Sequence, residues 1–322
     1  GWEGVRLVDL LRAEHLDDMY SRMWSPDNAK RLLLAAAMNP RYRDVRVCGY
    51  HDELDLDREK QFSATTFRLW PGCSYVAFRG TDNTLVGWKE DFNMAFRCPV
   101  PAQEEAARYV SRAAAELGGE LMLGGHSKGG NLAVYSAAKC DASVRGRVVR
   151  AYSHDGPGFM EQVLQDEDFV RAAEKVEKTL PQASVVGMLL EDQENFKVVK
   201  SRGLSVLQHD PFMWEVEDGE LVTLERISAD ARYMDHALHE WVASMSEAER
   251  EQLVDTIYDI VNASGHVTFD EWRANLGSTL PAMAEAASRV DKETAGFLGR
   301  MLVELAKVGL RSVPAMFETA RG

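Results

Sequence analysis

The chain is short of cysteine, of basic charge and of long apolar runs, and each shortage removes a class of function. Only four cysteines occur in 322 residues. Cys48, Cys73, Cys98 and Cys140 show no C-x-x-C spacing and no adjacent histidine, so neither a zinc site nor a dithiol centre is expected. Free buried thiols in a reducing compartment are the default. Lys and Arg number 37 against 51 Asp and Glu, a net charge of −14. Nucleic acid and anionic membrane surfaces need a basic face, so neither is expected as the principal partner. No apolar run reaches the length of a membrane span, and no integral membrane association is expected. The first residues lack the charged-then-apolar pattern of a secretory signal, and a cytoplasmic location is the expectation. Internal repeats and low-complexity segments are absent too. What remains, 45% hydrophobic and 27% charged, is the composition of an ordinary soluble globular protein.

The pattern along the chain changes twice. Val5 to His15 and Asn28 to Met38 carry apolar residues on one helical face, with Ser25-Pro26-Asp27 as a helix start between them. Val45–Tyr50, Phe62–Trp70 and Ser74–Phe78 have strand character and, as close neighbours, read as antiparallel. Ala102 to Leu117 reads as an amphipathic helix, Glu120 to Leu123 as a short buried strand, Gly130 to Lys139 as a helix, and Arg147 to Ser153 as a strand ending in Asp155-Gly-Pro-Gly158. Phe159 to Thr179 reads as helical. This alternation predicts an α/β fold with a sheet parallel at its centre. From about Ser228 the segments 229–244, 246–263, 268–276, 281–288 and 292–310 are all helical in pattern. The expected division is a domain over 1–227 and a helical cap or appended helical region over 228–322.

The segment Leu121-Met-Leu-Gly-Gly-His-Ser-Lys-Gly-Gly130 carries the chemistry. An apolar strand runs into G-x-S-x-G and then into a helix, the context of a nucleophile elbow. A serine hydroxyl is a weak nucleophile at neutral pH and must be held exposed on a tight turn where a histidine can take its proton. Gly125 and Gly129 leave room for that turn around Ser127, and the backbone N–H of Lys128 is placed to meet a developing oxyanion at the helix N-terminus. The Lys128 side chain itself is expected to be solvated. Of the histidines after Ser127, His209 is the best base, because it sits in a loop between strand-like segments. His154 precedes its candidate acid, and His236 and His239 lie on a predicted helix. Asp155 ends the strand after the elbow helix and is the first choice for the acid, with the role of a turn residue as the alternative. Glu191 and Asp192 are the runners-up. Trp70, Trp88 and Trp214 support no substrate assignment, since large aromatics are core residues more often than ligand contacts.

Three ordered stretches resemble the class 3 lipases, and more closely a bacterial lipase-like α/β-hydrolase group of unassigned function, Mbeg1-like. They are Ala77-Phe-Arg-Gly-Thr-Asp82 with Trp88-Lys-Glu-Asp91 behind it, Gly125-His-Ser-Lys-Gly129, and Gln208-His-Asp-Pro-Phe-Met-Trp214. The similarity spans roughly residues 45 to 217. It implies an α/β-hydrolase fold, and it implies that Thr81 contributes the second oxyanion-hole donor opposite Ser127. The chain departs from the lipase pattern at the acid: where those lipases have D-x-V-x-x-L, this sequence has Ser184-Val-Val-Gly-Met-Leu-Leu.

The expected activity is therefore hydrolysis of a carboxylic ester, of a lipid or other acyl-bearing small molecule, through an acyl-enzyme on Ser127. No cofactor and no metal are required. An acyltransferase using the same acyl-enzyme, and a non-catalytic binding protein on a hydrolase fold, are the two alternatives.

Overall fold

The computed structural model describes residues 1–15, 19–20, 23, 25–94, 97–184, 186–188, 196–203, 205–228, 232, 240–242 and 244–300. The Cα framework divides into two compact units. The first comprises residues 1–83, 99–156 and 161–179, and the second 84–98, 157–160 and 180–322.

The first unit is built on strands that neighbour one another in chain order: β1 (Val5–Arg6), β2 (Arg46–Asp55), β3 (Lys60–Trp70), β4 (Cys73–Phe78), β5 (Glu120–His126), β6 (Val148–His154) and β7 (Val176–Pro181). The first four pair antiparallel and the last four parallel. The difference follows from the connections. Two-residue Pro71-Gly72, with Gly72 at φ 81°, can only return the chain antiparallel, whereas helices Pro101–Glu116 and Lys128–Lys139 supply the long crossovers that parallel pairing needs. The result is the expected α/β class, a sheet parallel at its centre and flanked by helices. Leu121 and Leu123 of β5 and Val148 and Ala151 of β6 are wholly buried, which is why these strands read as apolar runs. Phe62, Phe78 and Tyr109 pack with ring centroids 6.2 to 6.4 Å apart, and the Tyr109 hydroxyl donates to the Gly49 carbonyl at 2.8 Å. Burial pushes that phenol up to about 12.

Two sequence expectations are corrected here. Val5 to His15 is not one helix: Val5–Arg6 pair with Val47 and Arg46 as a strand, and Leu7–Leu10 and Ala13–His15 are 3-10 turns. Apolar residues at positions 5, 7 and 8 fit either period, and pairing with β2 decides between them. Phe159 to Thr179 is not helical throughout either. It holds two short helices, Glu161–Leu164 and Glu167–Ala173, and then β7.

The second unit is helical with short strands. β8 (Phe196–Val199), β9 (Val216–Glu217), β10 (Glu220–Leu221) and β11 (Thr223–Leu224) form two antiparallel pairs, β8 with β11 and β9 with β10. Asp218 and Gly219, both at positive φ, make the turn of the second pair. Helices Glu247–Asn262, Phe269–Ala274 and Leu276–Arg289 follow the expected pattern, with residues 292–300 helical as well, whereas helix Leu85–Met94 was not expected from the sequence. Ser246 and Thr268 each begin a helix with a capping box, accepting from the N–H of Glu249 and Glu271. Of the expected helix over 229–244, residues 229–231, 233–239 and 243 lie outside the described residues, as do 301–310 of the last.

Candidate functional site

The parallel register decides what stands at the carboxyl ends of β5 and β6. His126 pairs with His154, so the next residue of each strand, Ser127 and Asp155, emerges from the sheet side by side. The Ser127 N–H donates to the His154 carbonyl at 2.9 Å, which extends the ladder one step past the strand. Both residues then turn into positive φ, Ser127 at 58° and Asp155 at 50°. Such backbone costs a non-glycine residue on the order of 1–3 kcal/mol and persists only where the surroundings over-determine it.

Close backbone packing over-determines it here. A Cβ on Gly129 would lie 2.3 Å from the Phe78 carbonyl oxygen, and one on Gly125 would lie 2.5 Å from both that oxygen and the Gly129 carbonyl carbon. The turn Phe78-Arg79-Gly80-Thr81 is pressed equally close. A Cβ on Gly80 would stand 2.8 Å from the His126 carbonyl oxygen and 3.4 Å from Ser127 Cβ. Thr81 follows directly, half-buried. Ser127 precedes helix Lys128–Lys139, so Lys128 occupies the helix N-terminus as expected. Its side chain is a correction: only 1% of Lys128 is exposed, so it is not solvated.

Asp155 has no exposed surface, and its own N–H donates to the Thr179 carbonyl of β7 at 2.8 Å. His154 sits between the two turns. Burial, against the pull of the Glu177 carboxylate, holds its imidazole below the ordinary value of 6.5, so the neutral form is favoured there.

His209 lies in the second unit, half-buried at the end of the 3-10 helix Ser205–His209. Side-chain hydrogen bonds hold this loop. Gln208 accepts from the Ala183 N–H at 3.0 Å, Trp214 Nε1 donates to the Gln208 carbonyl at 2.9 Å, and Asp210 accepts from the Phe212 N–H at 3.0 Å. Ser184 accepts from the Gly187 N–H at 3.0 Å and so caps a turn. Glu191 and Asp192 lie outside the described residues, as do His236 and His239.

Sequence reading did not single out Arg79. Its guanidinium reaches Asp52 of β2 at 3.0 Å and the buried Asp82 at 3.2 Å, bracing the turn that carries Thr81. The i, i+3 spacing in Arg-Gly-Thr-Asp was the available clue. Among the described residues one group has metal-ligand chemistry: His51, Glu53 and Glu105 have ligand atoms within 4.8 Å of one another. Their charges are already met, since Lys60 lies 2.5 Å from Glu53, and Arg108 and Arg112 lie 3.0 and 2.8 Å from Glu105. These residues do not fit a divalent cation. Among the described residues no helix is long and apolar enough to cross a membrane.

Comparison with known proteins adds the family. A fungal lipase solved as an inhibitor complex, in a study of interfacial activation, resembles the chain at 16% identity and a TM-score of 0.36. That similarity covers 49% of this chain and 65% of the lipase, under two thirds of its length. No curated protein matches the sequence. The family model described as Mbeg1-like matches residues 36–259, more than half of the 322 residues and including both strand ends and the His209 loop, and the protein belongs to that family.

Proposed function

We propose that the protein is a serine hydrolase of carboxylic esters. The observation that carries this reading is the strained backbone of Ser127, held at φ 58° between a buried parallel strand and a helix N-terminus, with the buried Asp155 at the end of the adjoining strand. A serine kept in a costly conformation by three glycines packed on backbone is better explained by chemistry than by packing.

In the proposed cycle His209 takes the Ser127 proton as the oxygen attacks the ester carbonyl. The backbone N–H groups of Thr81 and Lys128 donate to the oxyanion of the tetrahedral intermediate. His209 then passes its proton to the leaving alcohol, and water repeats the sequence on the acyl-enzyme. Asp155 fixes the imidazole tautomer and stabilises the imidazolium.

The test is a fluorophosphonate probe together with p-nitrophenyl esters. Wild type should be labelled at Ser127 and should turn over the esters. Ser127→Ala should lose labelling and about a millionfold in turnover while its thermal midpoint stays near that of wild type. An unlabelled wild type, or a Ser127→Ala protein that retains turnover, overturns the reading.

A further inference from the structure

Two helices of the second unit present matched apolar stripes to one cavity. On helix Leu85–Met94 the lining residues Leu85, Trp88, Lys89 and Phe92 recur at i, i+3, i+4 and i+7. On helix Glu247–Asn262 Val254, Ile257, Tyr258 and Val261 do the same. Between them lies a space of about 220 Å³. Trp88, Phe92 and Ile257 are 41%, 55% and 47% exposed, so three large apolar side chains on this cavity are left open to water. Single exposed apolar residues are ordinary, but a group converging on one cavity marks a site for an apolar ligand.

The two helices are held in place without that ligand. Lys89 Nζ meets Asp255 at 2.8 Å and stands 4.6 Å from the Tyr258 ring centroid, and Arg97 meets Glu251 at 2.6 Å. The Lys89 ammonium, 7% exposed, is thereby matched by a carboxylate and a π face. Arg250, which also lines the cavity, donates its Nε proton to the Val242 carbonyl at 2.9 Å, and the other walls offer apolar contact, so charge on the portion of a ligand bound against them would be desolvated without return.

We propose that this cavity binds an unbranched aliphatic chain of roughly eight to ten carbons. The size follows by proportion, since a cavity of ~150 Å³ holds the six carbons of benzene. The shape follows from the stripe, whose seven-residue run extends about 10 Å along the helix and suits a chain better than a compact ring. The assignment of that chain as the acyl part of a substrate rests on the esterase reading; the binding itself does not.

The experiment is calorimetric titration of the Ser127→Ala protein with 1-butanol, 1-hexanol, 1-octanol, 1-decanol and 1-dodecanol. Affinity should rise about fourfold per added methylene and level off near ten carbons, with a negative heat-capacity change. Val261→Phe and Ile257→Phe, which fill the cavity from two different positions, should each move the plateau to shorter chains. Their thermal midpoints report whether each variant folds. Absence of saturable binding, affinity that keeps rising from decanol to dodecanol, or a plateau unmoved in the folded variants overturns the proposal. The two readings separate cleanly. Decanol binding by a protein whose Ser127 is inert sustains the cavity and defeats the esterase, and ester turnover without decanol binding does the reverse.

Discussion

Ser127 and His209 are positioned by different kinds of structure, and the contrast shows how each could fail. Ser127 stands where two parallel strands end, and everything that fixes it is backbone: a ladder bond to His154, and carbonyls of Phe78 and His126 too close to Gly129, Gly125 and Gly80 for any Cβ. His209 stands in a loop of short 3-10 turns fixed by the side chains of Gln208, Asp210 and Trp214. Backbone packing is all-or-none, whereas side-chain bonds can be removed one at a time. The elbow should therefore break abruptly on substitution and the histidine loop should loosen by degrees.

The largest expected effect beyond loss of the nucleophile tests whether the acid belongs to the rigid side of this contrast. Asp155→Asn should lower turnover by up to about ten-thousandfold with KM little changed, because the amide favours the wrong imidazole tautomer. Glu191→Gln and Asp192→Asn should do far less. If either of these loses activity while Asp155→Asn keeps it, the acid lies after β7 and Asp155 is a turn residue.

Next comes a direct comparison of the two kinds of support. Gly129→Ala places a methyl 2.3 Å from the Phe78 oxygen, and because backbone cannot step aside as a flexible side chain can, the strain should reach at least the usual 1–3 kcal/mol of overpacking. Activity should vanish with the elbow geometry. Trp214→Phe deletes the bond to the Gln208 carbonyl, worth about 1 kcal/mol, together with part of a buried ring, and should reduce turnover modestly while labelling of Ser127 persists. Denaturant midpoints and probe-labelling rates measured on both variants check the ranking; equal losses would erase the distinction.

How much of this was legible in the sequence follows the same division. The elbow was readable because its physics is local: an apolar strand, glycines at fixed offsets and a helix start lie within ten residues. The position of Asp155 at a strand end was readable because it closes the next strand. β7 was missed, since Glu177 and Lys178 interrupt its apolar pattern and a helix precedes it. The burial of Lys128 was missed because spacing places a residue on an element without saying what packs above it. The apolar stripes of helices Leu85–Met94 and Glu247–Asn262 are each periodic in sequence, yet their pairing spans some 160 residues and no local rule announces it.

The smallest expected effect is on stability and comes from His154, whose carbonyl anchors Ser127. Burial lowers its folded pKa below the ordinary 6.5, while the Glu177 carboxylate pulls in the opposite direction. The unfolded chain then binds the proton more readily than the native one, so stability rises with pH in the window below 6.5 and is indifferent to this group above it. For one proton the slope cannot exceed about 1.4 kcal/mol per pH unit. Thermal midpoints should fall on acidification from pH ~7 to ~5.5, and the fall should be shallower in His154→Gln. Glu177→Gln removes the attraction that favours the charged ring, so its fall should be steeper. A His154→Gln protein that tracks wild type across this range would mean that the imidazole titrates freely and that the strand end beside Ser127 is open to water.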